Sequence, residues 1–476
     1  MPLYILWAWV TSFLLLGCPL ITRAEPYEPS KPIKCQKEQQ CPQEWPCCSP
    51  YGYCGAGPIC LGGCNPKYSF DKLSCAPMPA LLPPLNDHFA AKPNNMPESS
   101  VISPEEKLKQ SGIAHFTDYL VTKDKGDAEK MLDSYNFVYS GPADVDTPTG
   151  DILLTMPPKT TGSLIAGSQS FLYGKAVVRL KTSRSRGVIT AIVLISAVGD
   201  EVDYECLGSQ RDEVQTNYFS KGELDYTKMR RIPLSSDSWA NYHNYEIDWN
   251  EERIQWIIDG KVVRTLSKHE TWNEKLQIFK YPQTPMRLEV ALWPGGAAQN
   301  HPGTIEWAGG PVDWENSPEL VEKGAFTAHV SQIDVVPHPN KFLPAMSNCL
   351  EEGNKIAYAY GSSPGHHFNQ NILEWYCNIV PNVPDYKSSG ASIPRTEQLP
   401  AAIRKKEMIP VKVEENFIPD IRRLSVRPNG TLLFNTTRND TWSKQSPSSS
   451  SASDTWRHNN PLWRIFHQLR QWRELI

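Results

Sequence analysis

No charge of either sign dominates these 476 residues: 48 lysines and arginines against 52 aspartates and glutamates leave a formal net charge of -4. The two signs are interspersed through most of the length, so no basic field that could hold nucleic acid forms before the last stretch. Apolar repeats at helical spacing are scarce between His115 and Pro337, which argues against a bundle of helices there. The uninterrupted hydrophobic tail of a GPI signal is missing at the end, because Arg464, Arg470 and Arg473 interrupt it. No pattern calls for a metal or a cofactor, and none points to an obligate protein partner.

What is present is modular. The chain is too long for one ordinary domain, and its 41 prolines and several Ser-rich stretches suggest ordered modules separated by linkers. Residues 1–24 form an apolar run followed by Thr22 and Ala24, small residues where a signal peptidase needs them. They read as a cleaved signal peptide or an uncleaved signal anchor, and either puts the remainder outside the cytosol. Cys35, Cys41, Cys47, Cys48, Cys54, Cys60, Cys64 and Cys75 crowd into residues 34–76, as a small disulfide-stapled module requires. Three glycosylation sequons, at Asn429, Asn435 and Asn439, share one polar stretch and agree with a secretory route.

Residues 77–114, rich in Pro, Asn and Ser, read as a linker. From 115 to 337 short alternating or apolar runs recur, among them GKAVVRLKT, GVITAIVLIS, NYEIDWN and MRLEVALW. Asp259-Gly260 separates ERIQWII from KVVRTL and tolerates the positive φ angles of a tight hairpin. The expected fold is all-β, a jelly-roll sandwich beside the small disulfide-rich module. Residues 338–380 form an extension in which Cys349 and Cys377 are expected to pair, leaving Cys206 a buried free thiol. Residues 381–476 read as a disordered, glycosylated tail. Within it Trp463, Phe466, Leu469 and Trp472 recur every three residues, as in an interfacial helix, a docked helix or a frayed end.

The chemistry concentrates in GDEVDYE. On an extended strand Glu201, Asp203 and Glu205 share one face, while Val202, Tyr204 and Cys206 share the other. Three like charges in a row oppose strand formation, so the pattern suggests function, with a solvated strand edge or a calcium site as the alternatives. A retaining glycosidase needs two carboxyl groups roughly 5 to 5.5 Å apart. Glu201 and Glu205 have Cα atoms about 13 Å apart on a strand, so their side chains must lean together across a curved sheet. Trp293, before a Pro-Gly-Gly turn, and Trp307 could stack on sugars at the cleft rim or pack in the core. Asn217 and Tyr218 are further cleft candidates.

GDEVDYE, with VQTNYFSKGE, NYEIDWNEERIQWIIDGKVVRT and MRLEVALWPGG, resembles glycoside hydrolase family 16, and more closely its fungal Crh branch of chitin-glucan transglycosylases. The resemblance covers about 115 to 337. It implies that Glu201 is the nucleophile, Asp203 the auxiliary carboxylate and Glu205 the general acid/base. Glu205 must then begin protonated, which repulsion from the Glu201 carboxylate favours. It also implies chitin and β-glucan as partners and a secreted enzyme of the cell or spore wall.

PCCSPYGYCGAGPIC resembles the hevein-type chitin-binding module, carbohydrate-binding module family 18. Ser49 would hydrogen-bond an N-acetyl group, and Tyr51 and Tyr53 would stack on successive sugars. Ile59 stands where relatives usually carry another aromatic residue. Three functions stay open: a transglycosylase moving chitin onto β-glucan or chitin, a plain hydrolase sharing every residue named, and a structural wall protein carrying an inactive sandwich.

Overall fold

The computed structural model describes residues 33–35, 39–48, 53–55, 64–70, 74–75, 78–89, 102–115, 125–339, 355–360 and 373–376, with two short strands at Leu424–Val426 and Leu432–Phe434. The expected signal peptide, Ser49, Tyr51, Cys60, Cys349, Cys377, Asn429, Asn435, Asn439 and the C-terminal aromatic repeat lie outside these residues.

Two sheets of eight strands make up the large domain. The first runs Arg230–Pro233, Glu213–Phe219, Glu201–Leu207, Val188–Ser196, Met286–Pro294, Ser163–Gly167, Phe137–Ser140 and Ile113–His115. The second runs Lys261–Ser267, Arg253–Ile258, His243–Trp249, Gly174–Lys181, Phe326–Pro337, Ile152–Met156 and Ala143–Val145, with Leu85–His88 added against Phe326–Pro337. Every pairing except that of Ile113–His115 with Phe137–Ser140 is antiparallel in these two sheets. The expected all-β sandwich is what forms.

Period-two patterning shows why the layers stack. Gly174–Lys181 alternates buried and half-buried positions, as a strand with one covered face should. Val188–Ser196 is buried throughout, because it lies centrally in the first sheet and a second apolar cluster covers its other face. Between the sheets Trp249, Trp256, Tyr204 and Tyr245 are almost wholly buried, and each large side chain removed from water contributes about 1.5–3 kcal/mol. The hairpin at Asp259-Gly260 closes as its sequence suggests, with φ of 49° and 77° at the two turn residues.

The expected linker needs correction. Met78–Pro79 pairs with Ala357–Tyr360, which in turn pairs with Leu373–Tyr376. Leu85–His88 joins the second sheet, and Leu81 and Phe89 enter the main core. The helix Pro104–Gln110, capped by the Ser103 hydroxyl accepting from Glu106 N at 3.2 Å, buries Leu108. The first strand of the sandwich is therefore Leu85–His88, and its core takes in residues from Met78 onward, instead of starting at residue 115. Its first apolar anchors are too few and too widely spaced to display a period.

Candidate active site

The acidic strand is held at its entry before any carboxylate reaches the surface. Val188–Ser196 turns into Glu201–Leu207 through Gly199, whose φ of +82° and approach to the next loop both require glycine: a Cβ there would meet Gly222 N at 2.6 Å. Gly222 N donates to Gly199 O at 2.8 Å. Asp200, fully buried, then gathers three segments. It accepts from Lys221 N at 3.1 Å, Gln283 N at 2.8 Å and Thr284 Oγ1 at 2.6 Å, and pairs with Lys221 Nζ. Burial pushes the Lys221 ammonium below its ordinary range, and the Asp200 charge opposes that fall.

From this anchor the strand alternates as its sequence requires. Val202, Tyr204 and Cys206 enter the core between the sheets. Tyr204 donates to a backbone carbonyl of the second sheet, and Glu246 O and Ile257 O both lie 3.0 Å from its hydroxyl. Glu201, Asp203 and Glu205 take the other face, the first two buried and the third half-buried. Across the ladder Glu201 stands between Ile195 and Phe219, Asp203 between Val193 and Asn217, and Glu205 between Ala191 and Gln215.

Trp256 of the second sheet donates from Nε1 to Asp203 O at 3.0 Å, so the middle carboxylate is pinned through its backbone. Arg264 lies 4.4 Å over the Trp256 ring and donates to Thr216 O, Thr216 Oγ1 and Lys228 O at 2.8 to 2.9 Å. Burial draws its guanidinium below the ordinary range, and the Asp203 carboxylate is the strongest pull in the other direction. A fixed cation thus offsets the Asp203 charge, a compensation that the adjacent sequence does not supply.

Beside Glu205 opens a cleft of about 370 Å³, lined also by Gln215, Asn217, Tyr226, Met229, His301 and Trp307. Trp307 ends the short helix Pro302–Trp307 and donates from Nε1 to Gln215 Oε1 at 2.8 Å. Trp293 lies 6.0 Å from it with the rings tilted by 25°. It is only 1% exposed, so it backs the cleft wall and does not form the rim. Tyr218 is a second correction: it pairs with Val202 and faces the core, since neighbours on one strand point to opposite faces. Of the four cleft candidates, Asn217 and Trp307 line the cleft. Gln215, Tyr226, Met229 and His301 were not singled out from sequence. Gln215 could have been, because it lies two residues before Asn217 on one strand.

In the N-terminal module Cys35 bonds Cys48, Cys41 bonds Cys54 and Cys64 bonds Cys75, and Cys47 is also disulfide-bonded. Tyr53 is 3% exposed and bridges through its backbone to Lys34, so its ring is not displayed for stacking. Among the described residues the cluster with metal-ligand spacing is Cys35, Cys41 and Cys54, whose sulfurs are held in these disulfides. Cys206 is a buried free thiol.

Residues 131–309 match the model of glycosyl hydrolases family 16. The chain is 46% identical over 398 residues to "Probable glycosidase CRR1" of Saccharomyces cerevisiae, an alignment covering 77% of this chain and 94% of that protein. It is 37% identical to "Crh-like protein UTR2" of Candida albicans, over 70% of this chain and 65% of that protein. Among solved structures, "Crh5 transglycosylase in complex with NAG" superposes with a TM-score of 0.47 at 26% identity, covering 66% of this chain and all of that one.

Proposed function

This chain belongs to the glycosyl hydrolases of family 16, among the Crh-like proteins, and on that premise we propose that it is a retaining transglycosylase of the fungal wall that cleaves chitin and passes the sugar to β-glucan or chitin. The observation that carries the reading is the row Glu201, Asp203 and Glu205, on one face of one strand, with Glu205 in the wall of a 370 Å³ cleft. Glu201 attacks the anomeric carbon while Glu205 protonates the departing oxygen, which leaves a glycosyl-enzyme. Glu205, now a carboxylate, takes the proton of the acceptor hydroxyl and the sugar is transferred. Asp203, between them on the same face, keeps the nucleophile oriented.

Transfer demands that an acceptor hydroxyl outcompete water for the glycosyl-enzyme, which a sugar seated on an aromatic platform achieves by orientation and by excluding solvent. Trp307, half-buried beside Glu205, is the platform that fits. The N-terminal module, stapled by disulfides that tie Cys35 to Cys48, Cys41 to Cys54 and Cys64 to Cys75, serves as a hevein-type chitin anchor outside the cell, with Ser49 and Tyr51 as its contacts. The test is to incubate chitin oligomers with a fluorescent β-glucan oligomer. Labelled hybrids should outnumber hydrolysis products early on. Reducing ends that accumulate while label never enters longer products would make the enzyme a hydrolase.

A further inference from the structure

Ala357–Tyr360 comes after Phe326–Pro337, the last strand of the sandwich in chain order, yet it returns to the foundation of the acidic strand. Along it Tyr358 and Tyr360 lie two residues apart, share one face and enter the main core. Its backbone ties lead the same way. Ala80 N donates to Ile356 O and Leu81 N to Ser170 O, both at 2.8 Å, while Phe171 and Met286 exchange both of their backbone bonds. Met286 opens the strand paired with Val188–Ser196, and Thr284 stands two residues before it. The Tyr360 hydroxyl arrives beside those of Thr284 and Ser196. Both of these touch Asp200: Thr284 Oγ1 donates to Asp200 Oδ2 at 2.6 Å, and Asp200 N donates to Ser196 Oγ at 2.9 Å.

We propose that Tyr360 is a positioning residue for the reaction: through the hydroxyls of Thr284 and Ser196 it fixes Asp200, and with it the backbone that presents Glu201. A hydroxyl carries one hydrogen and can accept at its lone pairs. Thr284 spends its hydrogen on Asp200 and can accept from Tyr360, while Ser196, which accepts from Asp200 N, keeps a hydrogen for the Tyr360 oxygen. Burial pushes the phenol above its ordinary range, so it keeps its proton at neutral and acid pH. Tyr360 is not among the residues that line the cleft beside Glu205, so it acts through this chain of hydroxyls and not on the sugar. The extension that follows the sandwich is thereby part of the catalytic unit. The inference rests on the proposed function in taking Glu201 as the nucleophile.

Steady-state rates of the full chain on chitin oligomers test it with Tyr360→Phe, which removes the hydroxyl and keeps the ring in the core. The variant should lose about 5–10-fold in kcat with KM within about twofold of the parent's. A merely structural role would lower the thermal midpoint and leave kcat of the folded enzyme unchanged. Added to Thr284→Val, which breaks the same chain one link nearer Asp200, Tyr360→Phe should lower kcat no further, and Thr284→Ser, which keeps the hydroxyl, should retain the parental kcat. Tyr360→Met takes the place of Tyr360→Phe should that variant fail to fold. A folded variant with parental kcat, or losses that multiply with those of Thr284→Val, would overturn the inference and leave the proposed function intact. Should the parent form no product from chitin oligomers, the proposed function falls and hydrogen exchange decides the inference. Ser196 N donates to Asp200 O and Asp200 N to Ser196 Oγ, and both amides should exchange roughly tenfold faster in Tyr360→Phe, whereas equal rates overturn it.

Discussion

Replacing Asp200 by asparagine tests how firmly the entry to the acidic strand is held. The change keeps the shape but removes the charge and one acceptor oxygen, while Lys221, Gln283 N and Thr284 Oγ1 still point at the site. Removing one partner of a buried ion pair costs about 3–5 kcal/mol. The Lys221 side chain keeps 24% of its exposure, so water screens its stranded charge and the loss should fall near the lower end, about 3 kcal/mol. In a domain of this size that lowers the thermal midpoint by roughly 6–12 °C. Because Asp200 adjoins Glu201, the proposed nucleophile, a small displacement of that carboxylate should also reduce kcat by up to about 100-fold with KM little changed. Urea unfolding and initial rates on chitin oligomers measure both effects. Lys221→Met added to Asp200→Asn should cost less than the sum of the single changes, since no stranded charge remains. A loss below about 1 kcal/mol for Asp200→Asn, the value of a solvated pair, would refute the claim that this carboxylate clamps the strand.

Two further outcomes follow from groups away from the cleft. Burial pushes the Cys206 thiol up to about 12, so alkylating reagents at pH 8 should leave it unmodified in the native protein and label it once denaturant is added; rapid native labelling would contradict its place in the core. The Asp248 carboxyl is held below the usual range by its hydrogen bond with His338 at 2.9 Å and by the Arg253 charge. Its contribution is therefore present above the ordinary aspartate value of about 3.9 and is lost as pH falls through the lower folded value. Asp248→Asn should cost under about 1 kcal/mol at pH 7, because the group and its partners are partly solvated, and unfolding curves of parent and variant should converge in acid. A difference unchanged at a pH where the carboxyl is protonated would show that charge is not its source.

The alternation of acidic and apolar residues from Glu201 to Cys206 is a local property, so which side chains share a face was legible, as was the Asp259-Gly260 hairpin. What surrounds that face depends on distant segments. Arg264 and Trp256 come from the second sheet, and Trp307 and His301 from the end and the N-cap of a six-residue helix about a hundred positions onward. No spacing rule connects them to GDEVDYE. Trp293 and Trp307 look alike in sequence, each near a glycine turn, yet one is sealed beneath the other. The segment from Met78 to Phe89 misleads for a different reason: its proline content signals a linker, while Leu81, Leu85 and Phe89 suffice to fasten it.

The central claim, that Glu201 carries the sugar and Glu205 moves the proton, is tested most directly by trapping the covalent intermediate. With an aryl glycoside whose leaving group needs no protonation, Glu205→Gln should glycosylate readily and deglycosylate slowly, because the base that activates the acceptor is gone. Peptide mapping by mass spectrometry after acid quench should then find the sugar on Glu201, and Glu201→Gln should show no adduct. An adduct on Glu205, or turnover by Glu201→Gln equal to that of Glu205→Gln, would contradict the assignment.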